Sequence, residues 1–372
     1  MITGEYDVAV IGGGPSGAVA ARELAVSGAK VILIEKDVKR VKPCGGGTPY
    51  KTFQEFNLPQ KEIVKKIETI STVSPSGERL DISLNGRGYV AMVERGLFDH
   101  ALRRQAEDAG VEMVEAEFSS LKEAKEKICI TIIEDGKERD IRSDFLIAAD
   151  GVNSRVAGAA GLKPLPGVFT IREEVDLKAA EDFQHLNACE FWFSSTHAPG
   201  FYSWVFPKKD YVDIGTASVQ GKRLRELMNN FKRRRGVHGN GRQRVYRLPL
   251  KCRDKLAKNN ILFVGDAAGL VMPLSYEGIY YAVRSGKMGA EAVIRGRPKE
   301  YEKEWNKKFR RQFKLMNALK KYFMRNDRTV EQMFVLHRRK EVQEVSLKLW
   351  LEKDISPFGF LRYLNFFRRF LL

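Results

Sequence analysis

The first 36 residues carry the alternation of a β-strand, a glycine-rich turn, an α-helix and a second β-strand. The apolar run YDVAVI leads into GGGPSG, an alanine-rich stretch and a second apolar run, VILIE. Gly12, Gly14 and Gly17 form the spacing G-x-G-x-x-G, in which the glycines permit a tight turn, close approach of backbone to a pyrophosphate, and close packing of helix on strand. Free N–H groups and the helix dipole favour phosphate at the start of such a helix. The sequence therefore predicts a Rossmann-like dinucleotide-binding unit.

An acidic residue ends the second predicted strand. Glu35 follows Gly12 at the spacing of about 20 residues at which a carboxylate accepts both hydroxyls of an adenosine ribose. A lone glycine motif is weak evidence for nucleotide binding. Because strand, turn, helix, strand and terminal acid all occur here in the right order, we expect a bound dinucleotide cofactor.

Length, charge and cysteine usage exclude several classes of protein. The 372 residues are enough for two domains. We expect neither a spanning helix nor a secretory signal, since no apolar run reaches about 18 residues and the N-terminus lacks a basic, apolar, cleavable segment. Cysteines at 44, 129, 189 and 252 show no zinc spacing, which predicts no metal and favours a reducing cytoplasm. The net charge of +17 favours anionic partners, including a membrane surface.

Two later apolar strands are predicted to end in an acid beside a glycine. The first ends in Asp150-Gly151 within SDFLIAADGVNSRV, and the second in Gly265-Asp266 within NNILFVGDAAG. Such strand ends are where α/β sheets bind ligands. Each is equally compatible with ordinary turn chemistry, and both interpretations stay open on these residues alone.

The middle of the chain changes to a period of two residues. ACEFWFS, FYSWVFP and YVDIGTASV predict antiparallel strands within residues 166–250. Alternation places Tyr202, Trp204 and Phe206 on one face of a strand. That face is either sheet core or an apolar wall for a large ligand. The basic run Arg233–Arg235 predicts a solvated loop.

The last part of the chain is helical and basic. From about Pro298 the apolar residues fall at helical spacing, with lysines and arginines on other faces. In FGFLRYLNFFRRFLL, Phe360, Leu364, Phe367 and Leu371 share one face. Such a helix either lies in a membrane surface or caps the core of the protein itself.

Seven segments together resemble a known family. GGGPSG with Glu35, KPCGGG, VERGLFD, AADGVNSRV, FYSWVFPK, VGDAAG and EGIYYAVRSGKMGAEA occur in the order found in geranylgeranyl reductases. These are FAD-dependent flavoproteins of the larger hydroxylase-like fold. The resemblance runs from about residue 5 to 330 and is closest to the chlorophyll and bacteriochlorophyll branch.

The resemblance implies a fold class and a division of the chain. The fold is α/β, or an α+β composite: a Rossmann-like FAD-binding domain with an antiparallel-sheet substrate domain and a helical C-terminal region. The FAD-binding domain is discontinuous and comprises residues 1–50, 90–165 and 255–297. The substrate domain comprises residues 51–89 and 166–254, and the basic helical region residues 298–372.

The resemblance also implies site residues and their roles. The resemblance implies that a set of residues contacts FAD along its length, from the adenine and ribose through the pyrophosphate to the ribityl chain and flavin ring. These residues are Gly12, Gly14, Ser16, Gly17, Glu35, Cys44, Gly45, Gly47, Arg95, Ala116, Asp266, Gly278 and Ile279. The catalytic candidates are Cys44, Tyr202 and Trp204. Asp150 and Gly151 are less securely functional than Asp266.

Members of this branch saturate isolated C=C bonds of a geranylgeranyl chain on a chlorophyll-type pigment, giving phytyl. Since no carbonyl polarises such a bond, the site needs a proton donor, a dry channel and aromatic faces that attract positive charge. A free thiol is mostly protonated at neutral pH, so Cys44 is a candidate donor, and Tyr202 a weaker one. Trp192, Trp204 and Phe206 are expected to line the channel. The rival interpretation makes Cys44 a small packing residue.

The electron donor and the substrate each have alternatives. Without a second G-x-G-x-x-G unit, either NADPH binds transiently or reduced ferredoxin delivers electrons. The substrate could instead be another polyprenyl compound, such as an archaeal-type lipid or a menaquinone tail. The same scaffold also serves aromatic hydroxylases, and a non-catalytic flavin-binding or membrane-docking module is a further reading. A nucleic-acid-binding role is disfavoured because the basic residues are scattered along amphipathic helices.

Overall fold

Eighteen segments of the described chain are strands, which helices separate into groups, and from residue 279 onward the described elements are helices. The computed structural model describes residues 2–84, 86–123, 127–177, 183, 186–354 and 356–367. The strands are β1 (Ile2–Ile11), β2 (Val31–Glu35), β3 (Gly47–Pro49), β4 (Ile63–Ile67), β5 (Thr69–Val73), β6 (Arg79–Ser83), β7 (Val90–Val93), β8 (Glu112–Glu115), β9 (Glu117–Glu123), β10 (Ile128–Glu134), β11 (Lys137–Ala148), β12 (Gly167–Asp176), β13 (Ala188–Trp192), β14 (Ser203–Pro207), β15 (Tyr211–Ser218), β16 (Arg242–Pro249), β17 (Ala257–Lys258) and β18 (Ile261–Phe263).

Helices of very different length connect and follow these strands. They are α1 (Pro15–Val26), α2 (Lys51–Phe56), α3 (Arg95–Asp108), α4 (Arg155–Ala159), α5 (Leu224–Arg235), α6 (Ile279–Ile294), α7 (Pro298–Phe323), α8 (Asp327–His337), α9 (Lys340–Trp350) and α10 (Pro357–Phe367). None that the structure describes is long and apolar enough to cross a membrane.

The chain divides into two compact units, each assembled from three segments. The first unit comprises Met1–Val41, Gly96–Gly167 and Pro249–Arg310, and the second comprises Lys42–Arg95, Val168–Leu248 and Arg311–Leu372. The assignment of particular segments to FAD or to substrate stays a prediction.

The first unit is built on a mostly parallel sheet. The strand order is β17-β18-β11-β1-β2-β8, and β10 and β9 extend it from β11. β1 pairs in parallel with β2 on one side and with β11 on the other. The strands β2 and β18 are continuous apolar runs and are almost fully buried, as expected for parallel strands covered on both faces.

Helices α1 and α6 approach each other closely in this unit. A Cβ added at Gly286 of α6 would lie 2.2 Å from the carbonyl oxygen of Ser16 in α1. Small residues at this crossing therefore let two backbones meet. The contact places the start of α1, with its glycine turn, beside the helix that follows Gly278.

The second unit is built on a mostly antiparallel sheet. Its strand order is β16-β12-β15-β14-β13-β5-β6, and within it β13 pairs in parallel with β5. A separate three-stranded sheet has the order β3-β7-β4. The period-two pattern within residues 166–250 is thus realised as strands, with one helix inserted.

That inserted helix is α5, and it corrects the prediction of a solvated loop at Arg233–Arg235. Leu224, Met228 and Phe231 of α5 pack into the core under one face of the sheet, so helical periodicity extends through the basic run. Arg235, in the last turn, pairs with Glu190 at 2.8 Å. The run of like charges ends a helix, where cations are favoured by the dipole.

Helices α9 and α10 pack within the second unit. Leu347 and Leu351 join a core with residues of β4, β5 and β7. In α10 Phe367 is 1% exposed and packs 5.9 Å from the ring of Phe323. At Phe367 the predicted apolar face therefore covers protein core. The side chain of Phe360, and Leu371, lie outside the described residues.

Candidate functional site

The glycine turn between β1 and α1 is shaped by two backbone contacts. Gly12 has φ +103°, and a Cβ there would lie 2.4 Å from the carbonyl oxygen of Ala149. A Cβ at Gly17 would lie 1.9 Å from the oxygen of Gly12. By contrast, no described atom lies within 4 Å of the position that a Cβ at Gly14 would take. Two of the glycines are needed for packing, and the third faces open space.

The start of α1 is suited to an anion. Pro15 occupies the first turn, no side chain of the described residues caps the helix, and no acidic residue lies in that turn. Ser16 is 6% exposed, and its Oγ lies 2.6 Å from the position of a Cβ at Gly265. Because free N–H groups face an open glycine turn, this end of α1 fits a dinucleotide pyrophosphate.

The carboxylate of Glu35 is held beside this turn. One oxygen accepts a hydrogen bond from the backbone N–H of Gly13 at 2.7 Å, and the other from the N–H of Asp37 at 3.1 Å. The N–H of Ala116 donates to the main-chain oxygen of Glu35 at 3.0 Å. Ala116 and Glu35 are thus neighbours, as a shared adenosine site requires.

Arg103 of α3 supports the same turn, although sequence reasoning missed it. It is 4% exposed and donates to the carbonyl oxygens of Gly13 at 3.3 Å and Val38 at 2.8 Å. Nothing in the local sequence distinguishes this arginine from its neighbour Arg104. Its function in the fold follows only from where α3 packs.

The turn after β18 brings the second acidic candidate into the first unit. Gly265 has φ +56°, and its N–H donates to Ser285 Oγ at 2.9 Å. Asp266 is 8% exposed. A Cβ at Gly278 would lie 3.9 Å from Asp266 Oδ1, and Gly278 is directly followed by Ile279 at the start of α6. The structure therefore groups these three residues.

Asp150 has a structural partner. Its Oδ2 accepts a hydrogen bond from the N–H of Val156 at 3.0 Å, at the start of α4, where Ser154 is the N-cap. Burial raises the pKa of Asp150, although hydrogen bonds from this helix end oppose the shift. The structure therefore supports the reading of Asp150 as turn chemistry.

The KPCGGG loop lies in the second unit and runs beside β7. Gly46 has φ +71°, and a Cβ there would lie 2.3 Å from the carbonyl oxygen of Val93. The N–H of Val93 donates to the oxygen of Gly46 at 2.9 Å. Cys44 is half-buried, and its Sγ accepts from the N–H of Gly46 at 3.4 Å. Only glycine fits this position, which answers why the loop contains it.

An aromatic cluster adjoins this loop inside the second unit. Phe191 lies 5.1 Å from the ring of Tyr202 and 5.4 Å from that of Phe206. Trp204 lies 6.3 Å from Phe206. A Cβ at Gly45 would lie 2.6 Å from Phe206 and 3.3 Å from Trp204 Nε1, so the backbone of the loop rests on these rings.

Trp192 does not belong to this cluster, which corrects the expectation that it lines the channel. Phe191 pairs with Trp204 across β13 and β14, whereas Trp192 pairs with Ser203. Because neighbours along a strand point to opposite faces, Trp192 faces α5, 6.2 Å from the ring of Phe231. Phe191 occupies the place that sequence reasoning gave to Trp192.

A buried ion pair anchors the indole of the cluster. Trp204 Nε1 donates to Asp213 Oδ1 at 2.7 Å, and Arg172 pairs with the other oxygen of Asp213. Burial raises the pKa of Asp213 to about 6, while Arg172 opposes the rise.

Arg95, another residue of the predicted site in the second unit, is the first residue of α3 and is 4% exposed.

The predicted residues therefore fall into two groups. Gly12, Gly14, Ser16, Gly17, Glu35, Ala116, Asp266, Gly278 and Ile279 lie in the first unit, and Cys44, Gly45, Gly47, Arg95, Tyr202 and Trp204 lie in the second. Several are neighbours within their unit: Glu35 of Ala116, Gly278 of Asp266, and Gly45 of Trp204. Their roles toward a cofactor or substrate stay predictions.

Comparison with known proteins decides the family. Residues 5–286 match the model of the FAD binding domain family. The chain is 30% identical over 378 residues to the geranylgeranyl diphosphate reductase, chloroplastic, of Nicotiana tabacum, covering 94% of this chain and 82% of that protein. The chain belongs to the geranylgeranyl reductase family. It is an FAD-dependent oxidoreductase of the type that reduces C=C bonds, which confirms the expected family and enzyme class.

Relatives of this reductase include a protein named for a lipid substrate. The digeranylgeranylglycerophospholipid reductase of Methanocaldococcus jannaschii is 31% identical over 333 residues, which cover 82% of this chain and 83% of that protein. A geranylgeranyl bacteriochlorophyll reductase-like structure from Thermoplasma acidophilum superposes with a TM-score of 0.81 at 24% identity, covering 97% of this chain and 96% of that one. The likeness confirms the predicted fold class.

Proposed function

We propose that this reductase saturates isolated C=C bonds in the geranylgeranyl chain of a chlorophyll- or bacteriochlorophyll-type pigment and yields a phytyl chain. The observation that carries the proposal is the contact of Gly45 with Phe206 and Trp204, which joins the KPCGGG loop to an aromatic cluster. A prenyl chain needs an apolar wall, and a proton donor must reach it there. The names of the relatives support the prenyl class of substrate.

We propose that FAD is held mainly by glycine turns and backbone groups. The open side of Gly14 and the free start of α1 suit the pyrophosphate, and Glu35 with Ala116 suits the adenosine. Asp266 is proposed for the ribityl chain. Gly278, Ile279, Cys44, Gly45, Gly47 and Arg95 are proposed for the flavin side. When bound and reduced, the flavin supplies hydride.

Cys44 is the proposed proton donor. An isolated trisubstituted alkene offers hydride no electrophilic carbon until a proton begins to arrive at the other carbon, and the resulting centre resembles a tertiary cation. The half-buried thiol of Cys44 can give that proton from Sγ. Tyr202 is the alternative, through its phenol. Both stand at the aromatic cluster, Tyr202 through Phe191 and Cys44 through Gly45.

The aromatic cluster has two proposed tasks. Its rings exclude water from the reacting bond, and their faces stabilise the positive charge that develops on carbon by roughly 0.5–2 kcal/mol for each well-placed ring. Trp204 is held for this task by its hydrogen bond to Asp213. Phe191 and Phe206 complete the wall.

Product mass tests the proposed reaction. Protein loaded with FAD and reduced chemically is incubated with a geranylgeranylated pigment, with a digeranylgeranyl lipid and with a menaquinone. We expect the pigment to gain mass in steps of two hydrogens. A gain only in the lipid or the quinone assigns the activity to that substrate instead, and a gain of oxygen indicates a hydroxylase.

A second measurement addresses the electron donor. We propose NADPH or reduced ferredoxin, because residues 1–372 contain one dinucleotide motif and the charge of +17 attracts either anionic partner. Rapid anaerobic bleaching of the flavin by NADPH alone identifies the nucleotide as sufficient. Bleaching only with ferredoxin identifies a protein donor.

We further propose a peripheral contact with membranes in a reducing compartment. A prenylated pigment is membrane-resident, and the basic composition favours anionic headgroups. Flotation with anionic vesicles, compared with neutral vesicles, tests this contact. Equal recovery with both kinds of vesicle contradicts the electrostatic part of the proposal.

A further inference from the structure

A lysine is buried beneath the KPCGGG loop in the second unit. Lys208, the residue after β14, is 1% exposed, and its N–H closes the turn by donating to the carbonyl oxygen of Tyr211 at 2.8 Å. Its Nζ donates to the carbonyl oxygen of Val93 at 2.8 Å. A buried ammonium is costly unless electronegative groups surround it. The position of Lys208 therefore calls for a physical reason.

A short chain of contacts joins this ammonium to Cys44. The carbonyl of Val93 accepts from Lys208, and the N–H of Val93 donates to the oxygen of Gly46 at 2.9 Å. A Cβ at Gly46 would lie only 2.6 Å from Lys208 Nζ. The N–H of Gly46 in turn donates to Cys44 Sγ at 3.4 Å. A single glycine thus lies between the ammonium and the sulfur.

The titratable groups that act on Lys208 come from four different parts of the second unit. Burial lowers the pKa of Lys208, whereas Asp213 on β15, Glu94 after β7 and Cys44 in the loop oppose this change, and Arg172 on β12 adds to it. Each of the two carboxylates already accepts a hydrogen bond from another side chain. Within the described chain, the hydrogen bond of the ammonium goes to the main chain beside Gly46.

We propose that Lys208 is a positioning residue for proton transfer: its ammonium holds the Gly46 turn and stabilises the negative charge that Cys44 carries after giving up its proton. The inference rests on the proposed role of Cys44. In the step concerned, the S–H bond breaks, the π-electron pair of the alkene forms the new C–H bond, and the sulfur keeps the S–H pair. The Gly46 turn is the element through which the ammonium reaches the sulfur, since its N–H donates to Cys44 Sγ and its carbonyl oxygen accepts from Val93.

Alkylation of Cys44 tests this inference without any substrate. The FAD-loaded protein is treated with iodoacetamide between pH 6 and 10, and the modified Cys44 peptide is quantified by mass spectrometry, which separates it from the other three cysteines. For Lys208→Met we expect the pH midpoint of the alkylation rate to rise by about one unit. Lys209→Met removes the same charge from the exposed neighbouring residue and should leave the midpoint unchanged. Lys208→Arg should restore it.

The result that overturns the inference is an unchanged midpoint in a folded Lys208→Met protein. If that variant shows no cooperative melt, Lys208→Gln replaces it, because the amide removes the charge but keeps a donor for the carbonyl oxygen of Val93. The midpoint should rise in this variant too, and an unchanged midpoint in a folded Lys208→Gln protein also overturns the inference.

Failure of the proposed function has a different signature. If Cys44→Ala retains full turnover, Cys44 is not the donor, although a shifted midpoint in Lys208→Met still establishes the coupling of the two side chains. If Cys44→Ala abolishes turnover and the midpoint is unshifted, only the role of Lys208 is wrong. The two measurements together separate these cases.

Discussion

Alanine substitutions at Gly14 and Gly17 are expected to affect different properties, although both residues belong to the same motif. At Gly17 an added Cβ would lie 1.9 Å from the carbonyl oxygen of Gly12, whereas real Cβ contacts are longer than 3.0 Å. The turn must therefore shift by about 1 Å in Gly17→Ala. Forced overpacking of this kind costs about 1–3 kcal/mol of unfolding free energy.

At Gly14 the same methyl group meets no described atom within 4 Å. Gly14 is the residue before α1 and has φ −72°, which alanine also adopts. Gly14→Ala should therefore lower the unfolding free energy by less than about 1 kcal/mol, the scale of an N-cap change. The methyl group would nevertheless occupy the space proposed for the pyrophosphate. We expect the dissociation constant for FAD to rise at least about tenfold, or about 1.4 kcal/mol.

The assay combines urea unfolding of both apoproteins with FAD titration followed by flavin fluorescence. The expected pattern is a stability defect in Gly17→Ala and a binding defect without a matching stability defect in Gly14→Ala. Wild-type affinity for FAD in Gly14→Ala would refute the placement of the pyrophosphate. Wild-type stability in Gly17→Ala would refute the steric argument at the turn.

Three further outcomes are expected. Cys44→Ala should lower turnover about 100-fold or more, the scale of general acid catalysis, while FAD binds normally. If Cys44 is the donor, Tyr202→Phe should lower turnover less, as measured by the same product masses. Phe206→Leu should raise KM for the prenyl substrate more than it changes FAD affinity, and equal effects on both would contradict its place in the wall. Burial lowers the pKa of His197 to about 4, so the unfolded chain takes up a proton first and stability falls as pH drops from about 6.5 to 4. His197→Asn should show a shallower fall in urea unfolding across that window, and an identical slope would contradict this assignment.

The first βαβ unit was predictable because its determinants are local. The strand, the glycine turn, the helix and Glu35 occupy one continuous stretch, and the observed β1, α1 and β2 follow it. Helix α3, Arg95–Asp108, begins within the motif VERGLFD and is likewise one continuous stretch. Backbone geometry and short-range periodicity suffice for such elements.

The membership of the aromatic cluster on β13 and β14 was only partly predictable. Alternation correctly placed Trp204 and Phe206 together, because it acts within a single strand. On the partner strand β13 the wrong residue was expected to join them, Trp192 instead of Phe191. Which residue of β13 shares that face depends on the register between two strands, and a shift of one residue exchanges the faces.

By itself, the sequence determined the dinucleotide motif, the family and the first βαβ unit, since these depend on residues close together in the chain or on motifs in a fixed order. Tertiary structure alone decided that Arg103 supports the glycine turn and that Lys208 lies buried under Gly46. In each case the partners come from separate segments. A charged side chain gains its role from the burial and the acceptors that folding supplies, and neither quantity is encoded in its local sequence.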